Sequence, residues 1–195
     1  MNRIIGVLAD PPVGAAVRVV CVRGDQVVAE GAVAAPDGRF AVEAVECDWV
    51  VVQAGSPWLA AAVVRPAPEL RVELPDTARV TLRAADPPHG ARLWLDPVRL
   101  RAFPAELETA LRTHADGSVD LHVLDLPLTA GPVDLRLQPG VYRLGGGLLQ
   151  VRPWDAAVAL SAVVEPASGR ELPVADGEAV LDIVDDTTLD LVLTR

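Results

Sequence analysis

The chain has 195 residues, 51% of them hydrophobic but only 4% aromatic, and its formal net charge is −10, with 17 Arg and no Lys. An acidic chain of this kind disfavours nucleic-acid binding, which needs clustered cations against phosphate, and it offers no polybasic patch for a membrane surface. The absence of Lys also excludes a Lys nucleophile or Schiff base.

The elements can be taken in chain order. Pro and Gly, 17 and 15 in number, are spread as turn punctuation between Val-rich runs, a pattern that favours strands over helices. Short strands are expected at 3–8, 16–22, 27–34, 39–45, 49–53, 59–64 and 70–74, followed by a boundary at Asp76-Thr77. Seven short strands in about 75 residues suit a two-sheet sandwich. Strands are expected again at 79–84, 91–95, 109–114, 118–123, 133–137, 141–144 and 148–152, then at 157–164, 171–174, 179–183 and 189–194. The segment 104–112 reads either as one or two helical turns, since Pro104 suits a first helical position and Glu106 the first turn, or as a strand.

Two landmarks recur. Ala9-Asp10-Pro11-Pro12-Val13-Gly14-Ala15 returns as Ala85-Asp86-Pro87-Pro88-His89-Gly90-Ala91, and both copies lead into an alternating strand. An Asp-Gly pair stands at Asp37-Gly38, Asp116-Gly117 and Asp176-Gly177. Asp-Gly between alternating segments reads as a hairpin turn with positive φ. After each pair the alternation has one phase, with Phe40 and Val42, then Val119 and Leu121, then Ala179, Leu181 and Ile183 directed inward. The expected organisation is therefore a first sandwich over 1–76, a second over 77–155, and a remainder over 156–195 that is either a truncated third copy or extra strands packed on the second. The charge is uneven across them: −4, 0 and −6.

These residues carry a family resemblance. Gly14-Ala15-Ala16-Val17, Asp37-Gly38-Arg39-Phe40, Asp116-Gly117-Ser118-Val119 and Pro139-Gly140-Val141-Tyr142 resemble the turn and strand motifs of carboxypeptidase regulatory-like and transthyretin-like sandwich repeats, over roughly residues 3–152. The resemblance implies an all-β fold of tandem seven-stranded antiparallel Greek-key sandwiches, transthyretin-like or Ig-like, with extra C-terminal strands. It also implies an accessory, adhesive or scaffolding role, a fold-level analogy only.

Candidate chemistry is sparse. His122-Val123-Leu124-Asp125 is similar to the opening strand of the transthyretin-related 5-hydroxyisourate hydrolases. However, no His follows residue 122 and the chain ends Leu193-Thr194-Arg195, without the terminus those enzymes need. Internal Lys isopeptide links are chemically excluded. His89, His114 and His122 do not converge on one metal, because His114 and His122 fall on opposite faces of an Asp116-Gly117 hairpin. Ser56, Ser118, Ser161 and Ser168 lack a nucleophile-elbow context. Asp182, Asp185, Asp186 and Asp190 lack the spacing of a calcium loop and read as turn residues. Cys21 and Cys47 read as small buried apolar residues of a reducing compartment, with a disulfide inside the first unit as the alternative.

No catalytic residue, cofactor or metal is therefore expected, and the chain reads as a non-enzymatic interaction or scaffolding protein. Its partner would be another protein or a second copy. No apolar run reaches ~18 residues and Met1-Asn2-Arg3 opens no signal-peptide pattern, so a cytoplasmic location is expected. Trp49 and Trp94 read as core or edge packing, whereas Trp58 and Trp154, each beside a Pro, are the candidate interaction residues. The alternative is a small-ligand or carbohydrate-binding module that uses the same two Trp.

Overall fold

Val-rich alternation with Pro/Gly punctuation yields strands throughout. In a computed structural model, described at residues 2–24, 26–34, 37–44, 46–55, 58–101, 103–104, 107, 124–129, 131–148 and 159–194, the chain divides into two compact units: Met1–Thr77 with Arg101–His122, and Ala78–Leu100 with Val123–Arg195.

The first unit contains β1 (Asn2–Ala9), β2 (Val17–Arg23), β3 (Gln26–Ala32), β4 (Arg39–Ala44), β5 (Trp49–Ala54), β6 (Trp58–Val64) and β7 (Glu69–Glu73). These are the seven expected strands to within two residues at each end. One sheet has the order β4-β1-β7, and facing it is β6-β5-β2-β3. Every pair is antiparallel except β1 with β7, which is parallel. Alternate residues of both sheets meet between them: Ile4 and Leu8 of β1, Phe40 and Val42 of β4 and Val72 of β7 pack with Val19, Cys21, Val50 and Val52 from β2 and β5. This is the sandwich core that the alternation predicts.

The second unit contains β8 (Ala78–Ala84), β9 (Ala91–Leu100), β10 (Leu124–Pro127), β11 (Val133–Leu137), β12 (Gly140–Leu148), β13 (Ala159–Glu165), β14 (Arg170–Leu172), β15 (Val174–Ala175), β16 (Glu178–Ile183) and β17 (Thr187–Thr194). One of its sheets runs β10-β9-β12-β16-β15, and the other contains β14-β13-β17-β8-β11. The neighbours repeat those of the first unit. β8 lies between an antiparallel β11 and a parallel β17, as β1 lies between β4 and β7. β9 lies between β10 and β12, as β2 lies between β3 and β5. β16 and β17 thus hold the places of β6 and β7, and β13, β14 and β15 are inserted between the fifth and sixth strands of the second copy.

The repeated turn sequences behave as the repeat suggests. Ala15 and Ala91 donate N–H groups to the carbonyls of Pro12 and Pro88, at 3.4 and 2.9 Å. Gly14 and Gly90 have φ +81° and +78°, the third position of a type II turn. Asp176-Gly177, both at positive φ, closes the two-residue hairpin β15–β16 as expected. Asp37-Gly38 does something else. β3 and β4 belong to different sheets, so the pair turns the chain across the sandwich rather than into a hairpin. Gly38, at φ +69°, accepts the Leu8 N–H at 2.8 Å, and its missing Cβ would sit 2.2 Å from the Leu8 carbonyl oxygen. Asp116-Gly117 and the expected strands at 109–114 and 118–123 lie outside the described residues.

Three details go beyond the expected strands. β9 runs to Leu100 through Pro97, beyond the expected 91–95. Pro97 lies opposite Tyr142 of β12, beside the register shift at Val141/Tyr142, where a bulge interrupts the ladder next to the missing N–H. β10 at Leu124–Pro127 directly follows the expected strand 118–123, which lies outside the described residues. Finally, β2 and β5 have no wet face. Val20, Val22 and Val51 are as buried as the core-facing residues, and the buried Gln53 accepts a 3.1 Å bond from Arg18 Nε. Of the open segment 104–112, Leu107 is helical and buried, with its N–H bonded to the Pro104 carbonyl at 3.0 Å, while 108–112 lie outside the described residues.

The Pro139-Gly140-Val141-Tyr142 motif has a structural explanation. Tyr142 is fully buried, and its hydroxyl donates to the Gln138 carbonyl four residues back. A Tyr bonded to upstream backbone in this way is the corner device of Ig-like sandwiches. Trp94 lies over Gly145 of the neighbouring strand, where a Cβ would come 2.2 Å from the indole, so the ring covers a strand glycine that has no side chain of its own.

Candidate functional site

The side chains singled out for chemistry are placed as follows. Trp58 is the first residue of β6, half-buried with its ring against the first unit's core, so it is not a loop platform. Trp154 lies outside the described residues. Trp49 is half-buried, and the Arg65 guanidinium sits 3.5 Å over its ring. His114 and His122 lie outside the described residues, and His89 is exposed in the second Pro-Pro turn.

The acidic positions near the C-terminus hold structure together. Asp186 accepts the Arg79 N–H at 2.7 Å, and Asp190 pairs with Arg83 at 2.7 Å on the parallel neighbour strand. Asp134 binds Arg79 and Thr81, each at 2.6 Å, and these partners, Arg79 first, hold its carboxyl below the usual range. Among the described residues no group of three or more His, Cys, Asp and Glu side chains could hold a metal ion.

Cys21 and Cys47 are both free thiols, and they touch each other at the edge of the first unit's core. Burial, then the neighbouring Cys47, pushes the Cys21 thiol up to about 12.

The surface that stands out was not legible from residue types. It is the outer face of β4-β1-β7. Ile4 and Leu8 take the inward positions of β1, so Arg3, Ile5 and Val7 point outward. Register fixes their neighbours. Arg3 lies opposite Glu43, Ile5 between Ala41 and Glu69, and Val7 between Arg39 and Arg71. Arg39, Ala41, Glu69 and Arg71 are outward because Phe40, Val42, Leu70 and Val72 fill the core side. The result is an open groove of about 950 Å³ with Ile5, Val7 and Ala41 along it and the end of β3 as one wall. Ile5 and Val7 are 40% and 41% exposed.

Three arginines and one glutamate line this groove, in a chain whose net charge is −10. Arg39 and Arg71 make only long, exposed contacts with Asp37 and Glu73, at 3.6 and 3.9 Å. Exposed pairs of this length contribute little, so either guanidinium can turn to a better acceptor at small cost. Arg3 has no ion-pair partner among the described residues.

No family model matches the chain, and no curated protein matches it. Solved structures similar to it include the Bacillus anthracis TIE protein, at 8% identity and TM-score 0.27 over 96% of this chain and 32% of that one. A Streptococcal ancillary pilin matches at 10% identity and TM-score 0.29, over 97% of this chain and 61% of that one. A putative adhesin from Bacteroides ovatus ATCC 8483 matches at 8% identity and TM-score 0.30, over 93% of this chain and 82% of that one. The chain thus spans a third of the first and about three fifths of the second.

Proposed function

We propose that the chain is a non-enzymatic protein-interaction or scaffolding module that works as part of a larger assembly. The observation that carries this is the outer face of β1. Ile5 and Val7 are exposed side by side in the middle of a sheet, between strands whose own apolar residues are turned inward. Exposed apolar side chains grouped in a concave, charge-rimmed surface mark contact sites more often than isolated ones do.

The test is to present the chain to the purified products of neighbouring genes and to itself, and to compare wild type with an Ile5→Glu/Val7→Glu variant. Association that disappears in the variant, at an unchanged melting temperature, is expected. Association indifferent to both substitutions would overturn the reading. The carbohydrate alternative rests on Trp58 and Trp154; Trp58 is half-buried against the first unit's core, and Trp154 lies outside the described residues.

A further inference from the structure

The groove's register carries a statement about the partner, and it rests on the protein-interaction reading above. Along β1 the outward positions are Arg3, Ile5 and Val7, spaced two residues apart and hence about 7 Å per step. Arg39 and Arg71 flank Val7 from the two neighbouring strands. Their backbones lie two strand spacings apart, about 10 Å. The cations therefore stand at the two ends of a short apolar track, one at the Arg3 end and two at the Val7 end, roughly 13 Å apart along the strand.

We propose that this groove binds an extended acidic segment of a partner protein with the pattern acid-x-apolar-x-acid. An extended chain puts residues i, i+2 and i+4 on one side at the same two-residue step as β1. The first carboxylate then meets Arg3, whose register partner Glu43 makes this the weaker end, the apolar side chain lies over Ile5, and the second carboxylate enters between Arg39 and Arg71, the stronger end. Arginine forks favour carboxylates, which they can grip with two N–H groups. Glu69 stands beside Ile5 and repels an acid at the middle position, so the pattern is selected against acid-x-acid-x-acid as well as for its ends. The contact is small beside a standard interface of about 800 Å² per partner, so the single-segment affinity is weak and salt-sensitive.

The experiment uses the full chain and a fluorescein-labelled peptide, Ser-Thr-Glu-Thr-Val-Thr-Glu-Thr-Ser, read by fluorescence polarisation at low ionic strength. Three controls accompany it: Arg in place of both Glu, Glu in place of Val, and one Thr deleted between Val and the second Glu. Saturable binding is expected for the first peptide alone, at least tenfold weaker in Arg39→Glu/Arg71→Glu and in Arg3→Glu. The melting temperatures of these variants, which change only exposed side chains, should match wild type. Hydrogen-exchange protection should map to β1, β4 and β7. Equal binding of all four peptides, binding unaltered by the Arg substitutions, or no binding up to millimolar peptide would overturn the proposal. If partner association remains sensitive to Ile5→Glu/Val7→Glu while the peptide fails, the acidic-segment inference falls and the interaction reading stands.

Discussion

Two glycines at equivalent-looking turns should respond very differently to one added methyl group. Gly14 and Gly38 both have positive φ, +81° and +69°. An Ala at either position takes on a backbone cost of roughly 1–2 kcal/mol. At Gly14 that is the whole cost, because nothing lies within 4 Å of the new Cβ. At Gly38 the Cβ would lie 2.2 Å from the Leu8 backbone oxygen, and the Gly38 carbonyl is itself bonded to the Leu8 N–H at 2.8 Å. Relieving the clash means pulling the corner away from β1 and losing at least that bond, which adds about 1–2 kcal/mol. The expected costs are thus about 1.5 kcal/mol for Gly14→Ala and about 3 for Gly38→Ala. With a urea slope near 2 kcal/mol/M, the midpoints fall by about 0.8 and about 1.5 M. Urea unfolding followed by Trp fluorescence, in a Trp94→Phe/Trp154→Phe background, reads the first unit through Trp49 and Trp58. Equal falls for the two variants would refute the claim that the Asp37-Gly38 corner is seated against β1.

Other consequences can be checked on the same protein. Tyr142→Phe removes a buried hydroxyl-to-carbonyl bond and should lower the second unit's stability by about 1–2 kcal/mol in urea. Tyr142 is the single tyrosine, and burial raises its pKa above the ordinary value. The folded state holds this proton more tightly than the unfolded state, so its contribution to stability is complete below about pH 10 and is lost as the pH rises further. Absorbance at 295 nm should therefore show no phenolate near pH 10 until the second unit unfolds, and a reversible titration near 10 in folded protein would contradict its burial. Cys21 should resist a disulfide reagent at pH 8 in the folded chain, Cys47 should react slowly, and both should react at once in urea. Prompt labelling of two thiols without denaturant would show that the Cys21 side of the core is open.

Local signals determined a great deal of this protein. Alternation with a period of two set the seven strands of the first unit and the inward phase of Phe40, Val42, Ala179, Leu181 and Ile183, because one face of each of these strands is sealed. The Pro-Pro-x-Gly and Asp176-Gly177 turns followed from residues that alone tolerate positive φ at little cost. Where long-range pairing decides, the sequence was silent or misleading. Asp37-Gly38 carries the same dipeptide as a hairpin, but the choice between hairpin and corner lies in whether β4 pairs with β3 or crosses to β1, some thirty residues away. The exposure of Ile5 and Val7 looks, in sequence, like one more apolar alternation in an Ile/Val-rich strand. Only the registry of β4 and β7 on either side of β1 shows that Val7 stands between two arginines drawn from positions 39 and 71. Strand content and turn chemistry are local properties of the chain, whereas a groove is made by strands distant in sequence, and its charge pattern exists only once they are paired.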